Sequence, residues 1–288
     1  MPFDQVSLPG TQMRDVVAGS NGQAYRIFVA VPKSEPPPDG YPVLYMLDAN
    51  SSFATMAQTM AVLSIWRDGT GVQPTLIVGI GYPTDDAFDA ARRGFDYTPA
   101  PEPGGPELVH AHRLSYPMGG AEPFLAFITA ELKPLIESEY HVDRGRQALF
   151  GHSFGGLFTL YALFTRPNEF RSYVAASPSL AWGQPVITTL EERFAAAADH
   201  GHVRLLVTAG EFEQKLNPWE RDLPRAAETE AYYREFRMID RARALIERLN
   251  ALRRPQLEAR LRVFEGEGHM SLVPTAASHS LRFVAGTL

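Results

Sequence analysis

Cysteine is absent from the 288 residues, which excludes disulfides, cysteine-ligated zinc and thiol catalysis together and fits a reducing compartment. Long apolar runs are absent as well. No stretch approaches ~18 uninterrupted apolar residues, and the N-terminus, MPFDQVSLPG, has neither a basic start nor the apolar segment of a secretory signal. The expectation is a soluble, cytoplasmic protein with no membrane partner. Positive charge is in deficit: 27 Lys and Arg against 33 Asp and Glu give a formal net charge of -6, which disfavours wholesale nucleic-acid binding. Internal repeats are also missing, and biased segments are confined to the proline-rich turns PKSEPPPDG and TPAPEPGGP.

What remains is enough for a large core, since 45% of the residues are hydrophobic. Short apolar or β-branched runs read as strands at Ala24–Val31, Pro42–Leu47, Thr75–Tyr82, Gln147–Phe150, Ser172–Ser177, Val203–Ala209 and Leu257–Phe264. Helical patterns lie between them at 51–66, 122–140, 153–164 and 272–286. Nearly continuous apolar strands alternating with helices imply an α/β fold with a mostly parallel central sheet covered on both faces. One such domain over 1–288 is expected. The link between the last two strands is longer than a crossover requires, so 211–255 is read as a helical insertion. Tyr232, Phe236, Ile239, Ile246 and Leu249 recur there at helical spacing. The segment is either an ordinary amphipathic crossover or, with Trp219, a wall over a substrate cleft.

One serine stands out. In QALFGHSFGGLFTLYALF, Ser153 sits in G-x-S-x-G between a strand and a helix, the setting a nucleophile elbow needs. There the hydroxyl is held at the strand end, and the amide of Phe154 faces a developing oxyanion at the helix N-terminus. Gly151, Gly155 and Gly156 leave room for the turn, and His152 is read as a spacer. A nucleophilic serine needs a base. His269 supplies one, in the glycine-containing loop after the last strand and in the chain order serine, acid, histidine; His279, inside the last helix, is a weaker choice. His110 with His112, and His200 with His202, have metal-like spacing but no evident carboxylate partner, and are read as solvated loop histidines. For the acid, Glu213 follows Gly210 by three positions and can turn back to the cleft. Glu211 and a Ser153–His269 dyad stay open.

The combination YMLDANSSF, FDYTP, GHSFGGLF, YVAASPSLAW, TAGEFEQ and EGHMS resembles the α/β-hydrolase family of putative esterases that includes the siderophore esterases acting on enterobactin, salmochelin and bacillibactin. The resemblance runs from about Val16 to Leu288. It implies an α/β-hydrolase fold, Ser153 as nucleophile, His269 as base, and the backbone amides of Asn50 and Phe154 as oxyanion donors. Members often carry glycine where this chain has Ala49, and periplasmic members carry a signal or anchor that is not seen here.

The reaction implied is hydrolysis of a carboxylic ester through an acyl-enzyme, with no metal and no cofactor. The partner is a small-molecule ester, and a siderophore trilactone fits the resemblance. A general short-chain carboxylesterase, or an acyltransferase with the same Ser–His site, remains an alternative. Arg92 and Arg93, in AARRGFDYTP, either bind an anionic or phenolate-bearing substrate or anchor their loop through carboxylates.

Overall fold

The computed structural model of the chain describes residues 3, 6–197 and 201–288. Its centre is an eight-stranded sheet in the order β1-β2-β4-β3-β5-β6-β7-β8. β3 (Tyr41–Met46), β4 (Leu76–Gly81), β5 (Val142–His152), β6 (Ser172–Ala176), β7 (Val203–Gly210) and β8 (Leu257–Phe264) pair in parallel. β2 (Ala24–Ala30) joins β4 antiparallel, and β1 (Thr11–Val17) joins β2 antiparallel at the edge. β3, β4 and β6 are buried along their whole length, as strands covered on both faces must be.

Alternate residues feed two separate cores. Val43, Tyr45, Val78, Leu149, Tyr173 and Val207 belong to one; Leu44, Met46, Ile77, Phe150, Val174 and Leu206 belong to the other. The second face is closed by α1 (Ala49–Ile65), which the four-residue α2 (Arg67–Thr70) extends, and by the C-terminal helix (Leu272–Val284). α3 (Ala90–Asp96) follows β4. The stretch expected as one helix over 122–140 is α4 (Ala121–Ala126), a π-helical turn at Phe127–Leu132, and α5 (Lys133–Glu139). Pro134 accounts for the interruption, because it lacks an N–H and its ring crowds the carbonyl four residues earlier.

β5 runs straight into α6 (Phe154–Thr165), and α7 (Val186–Ala196) follows β6. The insertion between β7 and β8 holds α8 (Ala226–Phe236) and α9 (Met238–Ala251), and the C-terminal helix is α10. The helical spacing that runs from Tyr232 to Leu249 is interrupted at Arg237, which takes the left-handed conformation (φ 45°, ψ 51°). α9 packs Ala242, Leu245, Ile246 and Leu249 into the core as the crossover helix. α8 buries Phe236 and leaves most of its length outside the core. Among the described residues no helix is long and apolar enough to cross a membrane.

Candidate active site

Ser153 lies between β5 and α6 at φ 61°, ψ −116°, a conformation that a residue with a Cβ holds only when its surroundings enforce it. The enforcement is visible. The Ser153 amide donates to the Ala176 carbonyl at 2.9 Å, and the Ser153 carbonyl accepts from Leu157 N (3.0 Å) and Ser179 N (3.1 Å). A Cβ on Gly151 would stand 2.1 Å from the Gly155 carbonyl oxygen, and one on Gly156 would stand 2.8 Å from that of Ala176. These two glycines let the strand and helix approach closely enough to form the elbow.

The Ser153 hydroxyl meets the His269 ring, Oγ to Nε2, at 3.0 Å. His269 follows β8, and its side chain is 35% exposed. Behind it, Glu213 Oε2 lies 3.6 Å from Nδ1, and the Glu213 side chain is only 1% exposed. The other Glu213 oxygen accepts from the Gly210 amide at 2.9 Å and from Ser177 Oγ in a short hydrogen bond. One carboxylate oxygen is thereby fixed, and the other is aimed at the imidazole without a hydrogen-bond partner of its own. Glu211 is engaged elsewhere, with Lys215 Nζ at 2.6 Å and the Gly266 amide at 2.9 Å.

Two further serines belong to this geometry. Ser179 Oγ is 3.2 Å from Ser153 Oγ. Ser177, at φ 45°, donates its amide to the Thr208 carbonyl at 2.7 Å and so turns its hydroxyl toward Glu213. Neither was singled out in the sequence, although both lie in YVAASPSLAW. Phe154 is the first residue of the 12-residue α6, so its amide has no intrahelical acceptor and carries the positive end of the helix dipole. Asn50 is the second residue of α1, after Asp48 in the left-handed region (φ 53°). Its side chain accepts from Tyr82 N at 2.8 Å and donates to the carbonyls of Tyr82 and Thr84, both at 2.9 Å.

Ser153, Phe154, Glu213 and His269 open into a cleft of about 610 Å³, with Trp182, Tyr232, Tyr233 and Arg225 among its walls. Phe154 and Trp182 meet edge to face at 5.5 Å, and Trp182 stacks on Phe236 of α8 at 5.5 Å. Burial raises the Tyr233 phenol to about 12, with Glu220 adding to the rise.

Three expectations need correction. Trp219 does not line the cleft; it is 66% exposed and leans on Phe212, and the aromatic wall comes from α8 instead. Arg92 and Arg93 do not line it either. Arg93 pairs with Asp48 through two hydrogen bonds of 2.8 Å. Arg92 donates to the Ala24 carbonyl at 2.8 Å and lies over the Tyr25 and Tyr82 rings. His110 is not solvated; it is buried between Trp182 and Phe236, and burial lowers its pKa. His112 and His202 are exposed, and His200 lies outside the described residues. His279 packs against Phe264 in α10, away from the serine's partners. Among the described residues no group of three or more potential metal ligands comes together.

Comparison with known proteins agrees with this architecture. A family model described as "Putative esterase" matches residues 18–250. The ferri-bacillibactin esterase BesA of Bacillus subtilis is 39% identical over 279 residues, which cover 96% of this chain and 90% of that protein. The siderophore triacetylfusarinine C esterase of Aspergillus fumigatus is 34% identical over 252 residues, covering 83% and 80%. Among solved structures, the BES protein of Bacillus cereus superposes with a TM-score of 0.83 at 33% identity, covering 99% of both chains. The siderophore hydrolase EstA of Aspergillus nidulans gives 0.86 at 29% identity, covering 99% and 98%. With its α/β fold and a family match over most of its length, this chain belongs to the putative esterase family.

Proposed function

We propose that the protein hydrolyses a siderophore ester, of the cyclic trilactone class, through an acyl-enzyme on Ser153. The observation that carries this reading is the 3.0 Å contact between Ser153 Oγ and His269 Nε2 at the floor of an aromatic cleft. The names of its relatives, esterases of bacillibactin and triacetylfusarinine C, supply the substrate class. His269 Nε2 takes the hydroxyl proton as Oγ bonds to the ester carbonyl carbon. The amides of Phe154 and Asn50 donate to the resulting oxyanion. Collapse expels the alcohol, which receives the proton from His269 and leaves the acyl group on Ser153. A water molecule then repeats the sequence, and the acid is released.

Glu213 serves as the third member. With Oε1 fixed by Gly210 and Ser177, the free Oε2 facing Nδ1 selects the Nδ1–H tautomer of His269 and stabilises the imidazolium that forms. Trp182, Tyr232 and Tyr233 offer aromatic faces to aryl or extended acyl groups, and Arg225 offers a cation to a phenolate. The test is a panel of short acyl esters, polyester-type esters and catecholate trilactones, each with and without an added alcohol acceptor. The trilactone should give the highest kcat/KM, with free acid as product. A preference for short neutral esters would remove the siderophore assignment, and transfer to the acceptor would make the enzyme an acyltransferase.

A further inference from the structure

His152 is the last residue of β5, immediately before the nucleophile. Its ring is not directed to solvent; the residue is 7% exposed. Nε2 lies 2.8 Å from the main-chain carbonyl oxygen of His269, and the two imidazole centroids are 4.6 Å apart. Resting on the Ser153–His269 reading, we infer that His152 is a positioning residue, which holds the catalytic base in register with the nucleophile by donating its Nε2–H to the His269 carbonyl.

The chemistry of the bond fixes the direction. A carbonyl oxygen only accepts, so Nε2 must carry the proton and the neutral ring has its lone pair on Nδ1. The titratable and charged groups near this ring are His269 on the loop after β8, Arg93 on α3, and Asp48 after β3, which the Arg93 guanidinium already occupies. Burial pushes His152 down to about 3, and the neighbouring His269 adds to the shift. The ring therefore stays neutral throughout the range in which His269 must act as a base. A cation there would oppose formation of the His269 imidazolium.

The connection is short. From Ser153 the path runs one residue back to His152, across one hydrogen bond to the His269 main chain, and through the His269 ring back to the Ser153 hydroxyl. The spacing between nucleophile and base is thus set by the elbow itself and not by the loop after β8 alone. A displacement of the base by about 1 Å is enough to cost on the order of 10²-fold in rate.

The test compares His152→Phe, which keeps a planar ring and removes the donor, with His152→Gln, which restores an N–H near the position of Nε2. His152→Phe should lower kcat by about 10- to 100-fold, with KM changed less than about twofold. His152→Gln should regain most of the loss. In the unaltered protein, ¹⁵N resonances should show one histidine that stays in the neutral Nε2–H form down to pH 5 and is missing from His152→Phe. Three results would overturn the inference: a His152→Phe kcat close to that of the parent, equal losses in both variants accompanied by a lower Tm, or a His152 ring that is protonated at pH 6. Ser153→Ala belongs in the same series. If it keeps activity, the catalytic pair itself is misassigned; if it is inactive while His152→Phe is unimpaired, the inference about His152 alone fails.

Discussion

Replacing Glu213 by glutamine changes one oxygen to an NH₂ group, and the surroundings determine which way it points. Oε1 accepts from the Gly210 amide at 2.9 Å and from Ser177 Oγ. The backbone N–H cannot reverse its role, so the amide oxygen must stay there and the NH₂ must face His269 Nδ1. That arrangement favours the tautomer with the proton on Nε2, which cannot accept the Ser153 proton. The electrostatic loss has a similar weight. A unit charge pair at the observed 3.6 Å is worth about 4–5 kcal/mol at an effective dielectric of 20, which corresponds to roughly 10³ in rate. Loss of the tautomer-setting acid in a serine protease costs about 10⁴, and esters are easier substrates than amides. Glu213→Gln should therefore lower kcat by about 10² to 10⁴ with Tm nearly unchanged, while Glu211→Gln should cost less than about tenfold. Steady-state kinetics on an ester in the panel and thermal melts of the same samples decide the matter. If Glu213→Gln and the double variant both keep normal kcat, neither carboxylate acts on the histidine, and the site works as a Ser153–His269 dyad.

Two further expectations concern the polar groups beneath the turn that bears Asn50. Arg93→Ala strands the buried Asp48 carboxylate, which should cost about 3–5 kcal/mol; the melt should fall by several degrees, with equal losses on anionic and neutral esters, whereas a selective rise in KM for anionic esters would show that Arg93 binds substrate. Asp96 is raised to about 6 by burial, against a smaller lowering by Arg92. The folded state thus holds a proton that the unfolded state has released above about 4, and the contribution of this group to stability should decline as pH rises from about 4 to 6, by at most about 3 kcal/mol. Denaturation of parent and Asp96→Asn across that range should show the parent losing stability relative to the variant as pH rises, whatever the common trend set by other groups; parallel curves would contradict it.

Most of the fold was legible because the parallel strands are buried on both faces and read as continuous apolar runs. β1 was not, since TQMRDVV lies at the sheet edge with only Thr11 and Val16 partly covered, and an exposed edge strand leaves no apolar signature. The break at Arg237 was hidden for a related reason: the helical spacing of apolar residues continues through it, and a single left-handed residue has no sequence mark when it is not glycine. At the site, turn context and chain order pointed to Ser153 and His269 and left the acid open between Glu213, Glu211 and none; the structure brings Ser153, His269 and Glu213 together. The roles of Ser177 and Ser179 depend on where β6 ends relative to β5 and β7, which is a tertiary relation. Arg92 and Arg93 were ambiguous for the same reason, because the carboxylate that engages Arg93 lies 45 residues away in sequence.

The most direct test of the account is covalent capture of the nucleophile. Intact-mass analysis after fluorophosphonate treatment should show one adduct, mapped by peptide analysis to Ser153, and rapid quenching with an ester substrate should show the corresponding acyl adduct at the same residue. Ser153→Ala should take up neither label, and its kcat should fall by roughly 10³ or more. A folded sample that forms no adduct, an adduct mapped to another residue, or a Ser153→Ala variant that retains activity would contradict the account.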